Sequence, residues 1–232
     1  GYNEGYGVQG TTVYQRLAEN GFAVIAYDQC GFGLRLLEGR DFYKNHPRWS
    51  KLGRMVMDAR AAVSFAVEGR DAAKSAIPEF DTKRVFLLGY SSGALSAMYA
   101  GALDDRIAGV ACFSGWTPLR DTRNAKVTGG NRRLWEQHAL QPRLGLFDGR
   151  ESEMPFDYDD VLGLVLPKPC LVVTPKRDRY ADFSAVVEVI DKVRSAKPRI
   201  AKGSFAWLAP DDTNRFQADQ HQEFINWTKT LE

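Results

Sequence analysis

Short, continuously apolar runs recur along the chain, and segments with helical periodicity separate most of them. Runs of this kind are typical of strands that are buried on both faces of a sheet. Strands that alternate with helices predict an α/β fold with a mainly parallel sheet. The predicted strands are residues 22–27, 85–88, 107–113, 170–174 and 204–209, and the predicted helices are residues 11–20, 51–68, 92–103, 181–195 and 220–231.

Length and composition restrict the class of protein further. The 232 residues suit one domain and are too few for two full-sized ones. Hydrophobic residues make up 44% and charged residues 26%, which excludes a disordered chain. The net charge of +2 gives no reason to expect nucleic-acid binding, and no apolar stretch is long enough to span a membrane. The cysteines Cys30, Cys112 and Cys170 form no zinc-binding pattern and are interpreted as buried thiols.

One long segment interrupts the alternation of strands and helices. Residues 114–168 are too many for a connection between a strand and a helix, so they predict a partly helical cap inserted into a single domain of residues 1–232. Asp157, Asp159 and Asp160 in this cap lack the glycine and the terminal glutamate of a calcium loop, and are interpreted as loop and helix-cap residues. A polar loop is expected at residues 28–50.

Residues 89–93 read G-Y-S-S-G, a G-x-S-x-G pattern between an apolar run and a helix of small residues. A nucleophile at the end of a strand must stand clear of the sheet on a tight turn, and flanking glycines let the strand and helix backbones cross closely. The helix N-terminus places N–H groups beside developing negative charge. Ser91, centred between the glycines, is the predicted nucleophile, and a purely structural turn is the alternative.

These features give the chain a resemblance to the α/β-hydrolase superfamily. The sequence DQCGFG at residues 28–33 resembles the loop after that superfamily's fourth strand, GYSSG resembles its nucleophile elbow, and the insertion lies where members carry a cap. Within the superfamily the chain is most similar to the dienelactone-hydrolase and acetyl-xylan-esterase type, which includes bacterial carbohydrate esterases. The resemblance implies a serine hydrolase of carboxylic esters, small or carbohydrate-linked, that needs no metal or organic cofactor.

The resemblance also implies that serine, acid and histidine follow one another along the chain. His221 follows the last predicted strand and is the predicted base, whereas His46 and His138 both precede the acid. Asp178 lies shortly after the fourth predicted strand and is the predicted acid, with Asp182 as the fallback. Either aspartate is alternatively a helix cap or an ion-pair partner of a neighbouring arginine.

An oxyanion hole requires two backbone donors. The N–H of Ser92, the residue after the nucleophile, is predicted to be one of them. The resemblance implies that the other lies after the superfamily's third strand, and the opening Gly1-Tyr2-Asn3 places Tyr2 at this position. Asp28 resembles the turn-forming acid of the superfamily and is interpreted as structural.

The predicted cap carries seven basic residues against four acidic ones between residues 116 and 151. Excess arginine beside a nucleophile suits a substrate that bears a carboxylate, and Arg120 and Arg133 are candidates to bind it. Trp116 and Trp135 are candidates to stack on a sugar or aryl ring. The alternative is a solvated polar cap with two buried tryptophans.

Two other functions stay open at this point. A prolyl-oligopeptidase-like peptidase uses the same order of catalytic residues, but such enzymes usually carry a propeller domain or acidic residues that capture the substrate amine, and neither is evident in the sequence. A non-catalytic binding protein on the same fold is the other. We further expect the 232 residues to lack the first strands of the fold, because a parallel sheet without an interior strand leaves backbone groups unpaired.

Overall fold

The computed structural model describes residues 12–68, 79–121, 131–196 and 204–231. In these ranges the helices are α1 (Val13–Glu19), α2 (Leu36–Asn45), α3 (Lys51–Glu68), α4 (Ser92–Leu103), α5 (Tyr158–Val165), α6 (Phe183–Ala196) and α7 (Ala218–Lys229). The strands are β1 (Phe86–Tyr90), β2 (Gly109–Phe113), β3 (Cys170–Val173) and β4 (Phe205–Leu208). No helix in these ranges has both the length and the apolar character that a membrane crossing requires.

The four strands form one parallel sheet in the order β1-β2-β3-β4, which confirms the predicted α/β class. Side chains alternate between its two faces. On β2, Val110 and Cys112 face the larger apolar cluster, to which α3, α4, α5 and α6 contribute. Ala111 and Phe113 face a smaller cluster with α1 and α7. Because helices cover both faces, β2 and β3 are buried along their whole length, which is why they read as continuous apolar runs.

The predicted helices agree with the structure to within about two residues at their ends, which is the usual uncertainty in assigning helix boundaries. The polar segment at residues 28–50 was expected to be a loop, but it contains α2. Only Gly39 and Phe42 of α2 are buried, so the helix has too narrow an apolar stripe for its periodicity to be recognised in the sequence.

The prediction of a strand at residues 22–27 is wrong. The segment is not a strand, and Val24, Ile25 and Tyr27 are each between 37% and 44% exposed. A cavity of about 830 Å³ lies between it and β1, and both line that cavity. An apolar run becomes a strand only where a neighbouring backbone supplies hydrogen bonds, and β1 pairs with β2 alone among the described strands.

The segment between β2 and β3 is built mainly of short helical turns in its described part. It contains a π-helical turn at Arg133–Gln137, 3₁₀ turns at Pro142–Phe147 and Glu151–Glu153, and then α5. Asp157 and Asp160 form a capping box at the start of α5, which confirms the interpretation of these aspartates as cap residues. The three cysteines are buried and unpaired, as predicted.

Candidate active site

Ser91 lies on a strained turn between the end of β1 and the start of α4. Its backbone has φ 55° and ψ −119°, an unfavourable conformation for a residue with a side chain. The turn is held in place because the Ser91 N–H donates to the Phe113 carbonyl of β2 at 3.0 Å, and the Ser91 carbonyl accepts from the Ala94 N–H at 3.0 Å. The Ser91 side chain makes no capping bond to α4. This arrangement is the strand–turn–helix context that the G-x-S-x-G pattern requires.

The glycines around this turn have different functions. A Cβ on Gly89 would lie 2.2 Å from the Gly93 carbonyl oxygen, so the strand and helix backbones do cross closely there. A Cβ on Gly93 would meet nothing within 4 Å, so close crossing does not explain the second glycine of the pattern. The third glycine is Gly115, after β2, which the sequence analysis missed. Its Cβ would lie 2.2 Å from the Ser91 carbonyl oxygen, and its φ is +91°.

Asp178 lies in the loop after β3, at the same edge of the sheet as Ser91, because the carboxyl ends of parallel strands meet there. Its side chain is 4% exposed. One carboxylate oxygen accepts from the Tyr180 N–H at 2.8 Å, and the other accepts from the Asn214 side-chain amide at 2.9 Å. The fallback acid, Asp182, instead accepts from the N–H groups of Ser184 and Ala185 at the start of α6.

Asn214 is a second residue of this site that the sequence analysis missed. It lies in the loop between β4 and α7, and its side-chain oxygen accepts from the Tyr90 hydroxyl at 2.6 Å. Because the Asn214 amide also donates to Asp178, Asn214 connects Tyr90, the residue before Ser91, to the predicted acid. No sequence signal marked it, since a single asparagine in a polar loop is ordinary.

His221 lies in the first turn of α7 and is 3% exposed. Its ring centroid is 4.6 Å from that of Phe216, whose ring stacks on Tyr90 at 5.3 Å. Neither ring nitrogen has a hydrogen-bond partner of ordinary geometry among the described residues. The Phe216 ring therefore contacts both His221 and Tyr90, the last residue of β1. The structure shows no hydrogen bond between His221 and Asp178.

The surroundings of His221 favour its neutral form. Burial lowers the pKa of His221 below its usual value, and the positive charge of Arg16 lowers it further. The Asp219 carboxylate and the Phe216 backbone act in the opposite direction, but the net shift is downward. A neutral imidazole at pH 7 is the form that a general base requires.

The predicted oxyanion-hole donors are only partly described. Ser92 is the first residue of α4, so its N–H has no carbonyl partner within the helix and is available to a bound anion. Tyr2 lies outside the described residues. Asp28 accepts from the Leu34 N–H at 2.9 Å, and a Cβ on Gly33 would collide with its carboxylate, so Asp28 stabilises its own loop as interpreted.

The cavity beside β1 reaches the nucleophile. At that end its described lining includes Ser91, Ser92, Gly115, Thr117, Arg133 and Tyr180. Of the four candidate substrate-binding residues, Arg133 is the one found on this lining. No group of three or more histidine, cysteine or acidic residues that could hold a metal ion occurs in the described part of the chain.

The other three candidates have structural contacts. Trp116 is 3% exposed and packs against Tyr158, with 5.1 Å between the ring centroids. Trp135 packs against Gly145. Arg120 donates to the Met154 carbonyl at 2.8 Å. These contacts account for the two tryptophans and the arginine within the segment between β2 and β3.

Comparisons with known proteins agree with this geometry. A promiscuous CE15 esterase from a marine bacterial metagenome is 16% identical with a TM-score of 0.64, covering 90% of this chain and 54% of its own. A glucuronoyl esterase from Solibacter usitatus is 17% identical with a TM-score of 0.62, and the match covers 78% of this chain and 49% of the esterase. A Pyrococcus furiosus esterase is 14% identical with a TM-score of 0.57, and the match covers 94% of this chain and 74% of that esterase. The chain thus spans about half the length of the first two. These likenesses show the α/β-hydrolase fold.

The sequence comparisons point to one family. No curated protein sequence is significantly similar to the chain. The family described as serine aminopeptidase, S33 (Hydrolase_4) matches residues 1–162, which is more than half of the chain and includes the nucleophile turn. The chain therefore belongs to this serine aminopeptidase S33 family of α/β-hydrolases.

Proposed function

We propose that the protein is a serine hydrolase that cleaves carboxylic esters through an acyl-enzyme. Ser91 Oγ attacks the ester carbonyl while His221 accepts its proton, and Asp178 orients the histidine and stabilises its charged form. The N–H of Ser92, with that of Tyr2, binds the oxyanion of the tetrahedral intermediate. His221 returns the proton to the leaving alcohol, and a water activated by the same base then releases the acid.

The observation that carries this proposal is the backbone of Ser91. A strained serine between a buried strand and a helix N-terminus costs on the order of 1–3 kcal/mol, and strain of this kind is concentrated at functional sites. The surrounding contacts maintain it from two sides, through the Phe113 carbonyl and through Gly115. A turn that only connected two elements would have no need of this conformation.

Burial and position support the roles of Asp178 and His221. Asp178 is buried at the correct edge of the sheet, and His221 is a neutral base whose ring nitrogens have no ordinary hydrogen-bond partner among the described residues. For catalysis the imidazole must donate to an Asp178 carboxylate oxygen, and each of these oxygens can accept a second hydrogen bond beside the one from Tyr180 or Asn214.

Esterase names among the similar structures support the choice of an ester, and two of those proteins are a CE15 esterase and a glucuronoyl esterase. We extend this to a proposal that the substrate is a small or carbohydrate-linked carboxylic ester. The family description suggests an aminopeptidase as the second candidate. An aminopeptidase needs an anion for the substrate's amino terminus, and no Asp or Glu occurs on the described lining of the cavity, so we favour the esterase.

The test compares wild-type protein with the variant Ser91→Ala. We expect hydrolysis of 4-nitrophenyl butyrate to fall by about 10⁴-fold or more, because the remaining groups cannot form the acyl-enzyme. Ser195→Ala, at an exposed position in α6, is the matched control and should retain full activity. Parallel assays with aminoacyl 4-nitroanilides separate an esterase from a peptidase.

Covalent labelling separates an enzyme from a binding protein. A fluorophosphonate probe should modify folded wild-type protein, and mass spectrometry should locate the adduct on Ser91 rather than on Ser92. Absence of labelling, together with ester hydrolysis by wild-type protein no faster than in buffer, would eliminate the proposed function and favour a non-catalytic protein on the same fold.

A further inference from the structure

Tyr90 is the last residue of β1 and directly precedes the nucleophile Ser91. Its side chain packs on the face of the sheet that α1 and α7 cover. The Tyr90 hydroxyl donates to the Asn214 side-chain oxygen at 2.6 Å. The Tyr90 ring stacks on Phe216, with 5.3 Å between the ring centroids and 12° between the ring planes. One side chain beside the nucleophile therefore makes two contacts with the loop between β4 and α7.

The first contact belongs to a chain of hydrogen bonds that runs in one direction. An ionised carboxylate only accepts hydrogen bonds, so the end of Asn214 that faces Asp178 must be its NH₂ group. The oxygen of the Asn214 amide then faces Tyr90, whose hydroxyl must donate to it. Removal of that hydroxyl takes this donor from the amide oxygen and allows the amide to turn away from the acid.

The same chain restricts the orientation of the Asp178 carboxylate. The Tyr180 N–H donates to one carboxylate oxygen at 2.8 Å, and the Asn214 amide donates to the other at 2.9 Å. Donors on both oxygens hold the plane of the carboxylate against rotation about its Cβ–Cγ bond. Each oxygen can still accept a second hydrogen bond, so Asn214 orients the acid without excluding the imidazole.

The second contact leads to the proposed base. The Phe216 ring lies with its centroid 4.6 Å from that of His221, at an angle of 63° between the planes. Neither His221 ring nitrogen has a hydrogen-bond partner of ordinary geometry among the described residues, so packing against neighbours holds the imidazole in place. Because Phe216 is stacked between Tyr90 and His221, the position of the Tyr90 ring affects that of the imidazole.

We infer that Tyr90 is a positioning residue for both the acid and the base of the proposed triad. Its hydroxyl orients Asp178 through Asn214, and its ring supports His221 through Phe216. The inference rests on the proposed function, since it concerns the same triad. Tyr90 and Asn214 also line the cavity, so direct contact with the substrate is the alternative that the experiments must exclude.

The first experiment separates the two contacts of Tyr90. Tyr90→Phe removes the hydroxyl but keeps the stacked ring. We expect its kcat for 4-nitrophenyl butyrate to fall about tenfold with KM within about twofold of wild type, because the same base serves acylation and deacylation. Tyr90→Leu removes both contacts and should lower kcat by about 10²-fold. A raised KM with an unchanged kcat would show that Tyr90 binds the substrate and would overturn the inference.

The second experiment replaces Asn214. Asn214→Asp has nearly the same shape and keeps an acceptor for Tyr90, but at pH 8 it places a second carboxylate opposite Asp178. Asn214→Ala only removes the amide. We expect kcat to fall about tenfold for Asn214→Ala and about 10²-fold for Asn214→Asp, since like charges repel and the acid is turned away. A role of Asn214 in packing alone predicts the reverse order, and the reverse order would refute the relay.

A matched control and a second background test whether the effect passes through the acid. Tyr43→Phe also removes a hydroxyl that donates a hydrogen bond, in this case from α2 to the Ala139 carbonyl at 2.5 Å, and should keep kcat within about twofold of wild type. In an Asp178→Ala background, Tyr90→Phe should change the residual kcat by less than about twofold, because the group through which it acts is absent. A full tenfold loss in that background would contradict the inference.

Labelling by a fluorophosphonate probe separates this inference from the proposed function. If wild-type protein hydrolyses no ester but Ser91 is labelled, about tenfold more slowly in Tyr90→Phe, the ester substrate is wrong and the positioning role stands. If esters are hydrolysed and Ser91→Ala is inactive, but Tyr90→Phe and Asn214→Ala have the kcat of wild type, the positioning role is refuted and the hydrolase stands. Thermal melting of each variant excludes loss of fold as the cause of a change.

Discussion

Gly115→Ala should disable the nucleophile without altering any residue of the proposed triad. The added Cβ would lie 2.2 Å from the Ser91 carbonyl oxygen and 2.4 Å from the Ser91 Cα, whereas ordinary contacts begin at 3.4 Å. The two segments must therefore separate by about 1 Å. Both atoms that meet the Cβ belong to backbone, so no side-chain rotation relieves the contact, and the nucleophile itself must move.

The expected size of the effect follows from two contributions. An alanine at φ +91° costs about 1–2 kcal/mol of folding stability, because the left-handed region is unfavourable for a residue with Cβ. A displacement of about 1 Å at a reacting group lowers the rate by about 10²-fold. We expect kcat/KM for 4-nitrophenyl butyrate to fall by about that factor.

The control is Gly149→Ala, since Gly149 has φ +75° and open space around its Cβ. It carries the same conformational cost but no contact with Ser91. Urea unfolding gives the stability of both variants, and ester hydrolysis with fluorophosphonate labelling rates gives the reactivity of Ser91. If the two variants lose the same stability and Gly115→Ala keeps kcat/KM within about threefold of Gly149→Ala, the proposed support of Ser91 by Gly115 is wrong.

Two further predictions concern packing and protonation. Gly101→Ala should lower the free energy of unfolding by about 1–3 kcal/mol, because its Cβ would lie 2.3 Å from Val110 Cγ2 between α4 and β2. Gly163→Ala on α5 is the control: its Cβ meets nothing within 4 Å, so it should raise the free energy of unfolding by up to about 1 kcal/mol. Urea unfolding measures both variants, and equal effects would contradict the close approach of α4 to β2. Because burial lowers the pKa of His221, a base at this position keeps its neutral form down to a pH below the usual histidine value of about 6.5, so kcat/KM should stay constant from pH 8 to about 6.5 and fall at lower pH. An acidic limb with its midpoint above pH 7 would argue against His221 as the base.

Local signals in the sequence were sufficient for most of the secondary structure. The buried strands β2 and β3 are apolar at each position because helices cover both faces of the sheet. The amphipathic helix α3 was predicted with its observed bounds. α2 escaped prediction because only two of its residues are buried. Whether each element could be predicted depended on how many of its residues are buried, because burial produces the periodic pattern of apolar residues in the sequence.

The segment at residues 22–27 shows where local reasoning fails. Its apolar character is real, but a strand depends on a partner elsewhere in space, and composition does not record whether that partner is present. Val24 and Ile25 are consequently exposed beside the cavity instead of buried in the sheet. Pairing is a tertiary property, so the structure was needed to decide it.

The sequence by itself determined the α/β class and the position of Ser91, since strand, turn and helix are all encoded within the consecutive residues 86–103. Tertiary structure alone revealed Gly115, Asn214 and the Arg133–Tyr180 contact. These residues come from the segments that follow β2, β3 and β4, and they meet because a parallel sheet gathers its carboxyl ends at one edge. No local pattern in the chain records such a meeting, because the residues involved are far apart in sequence.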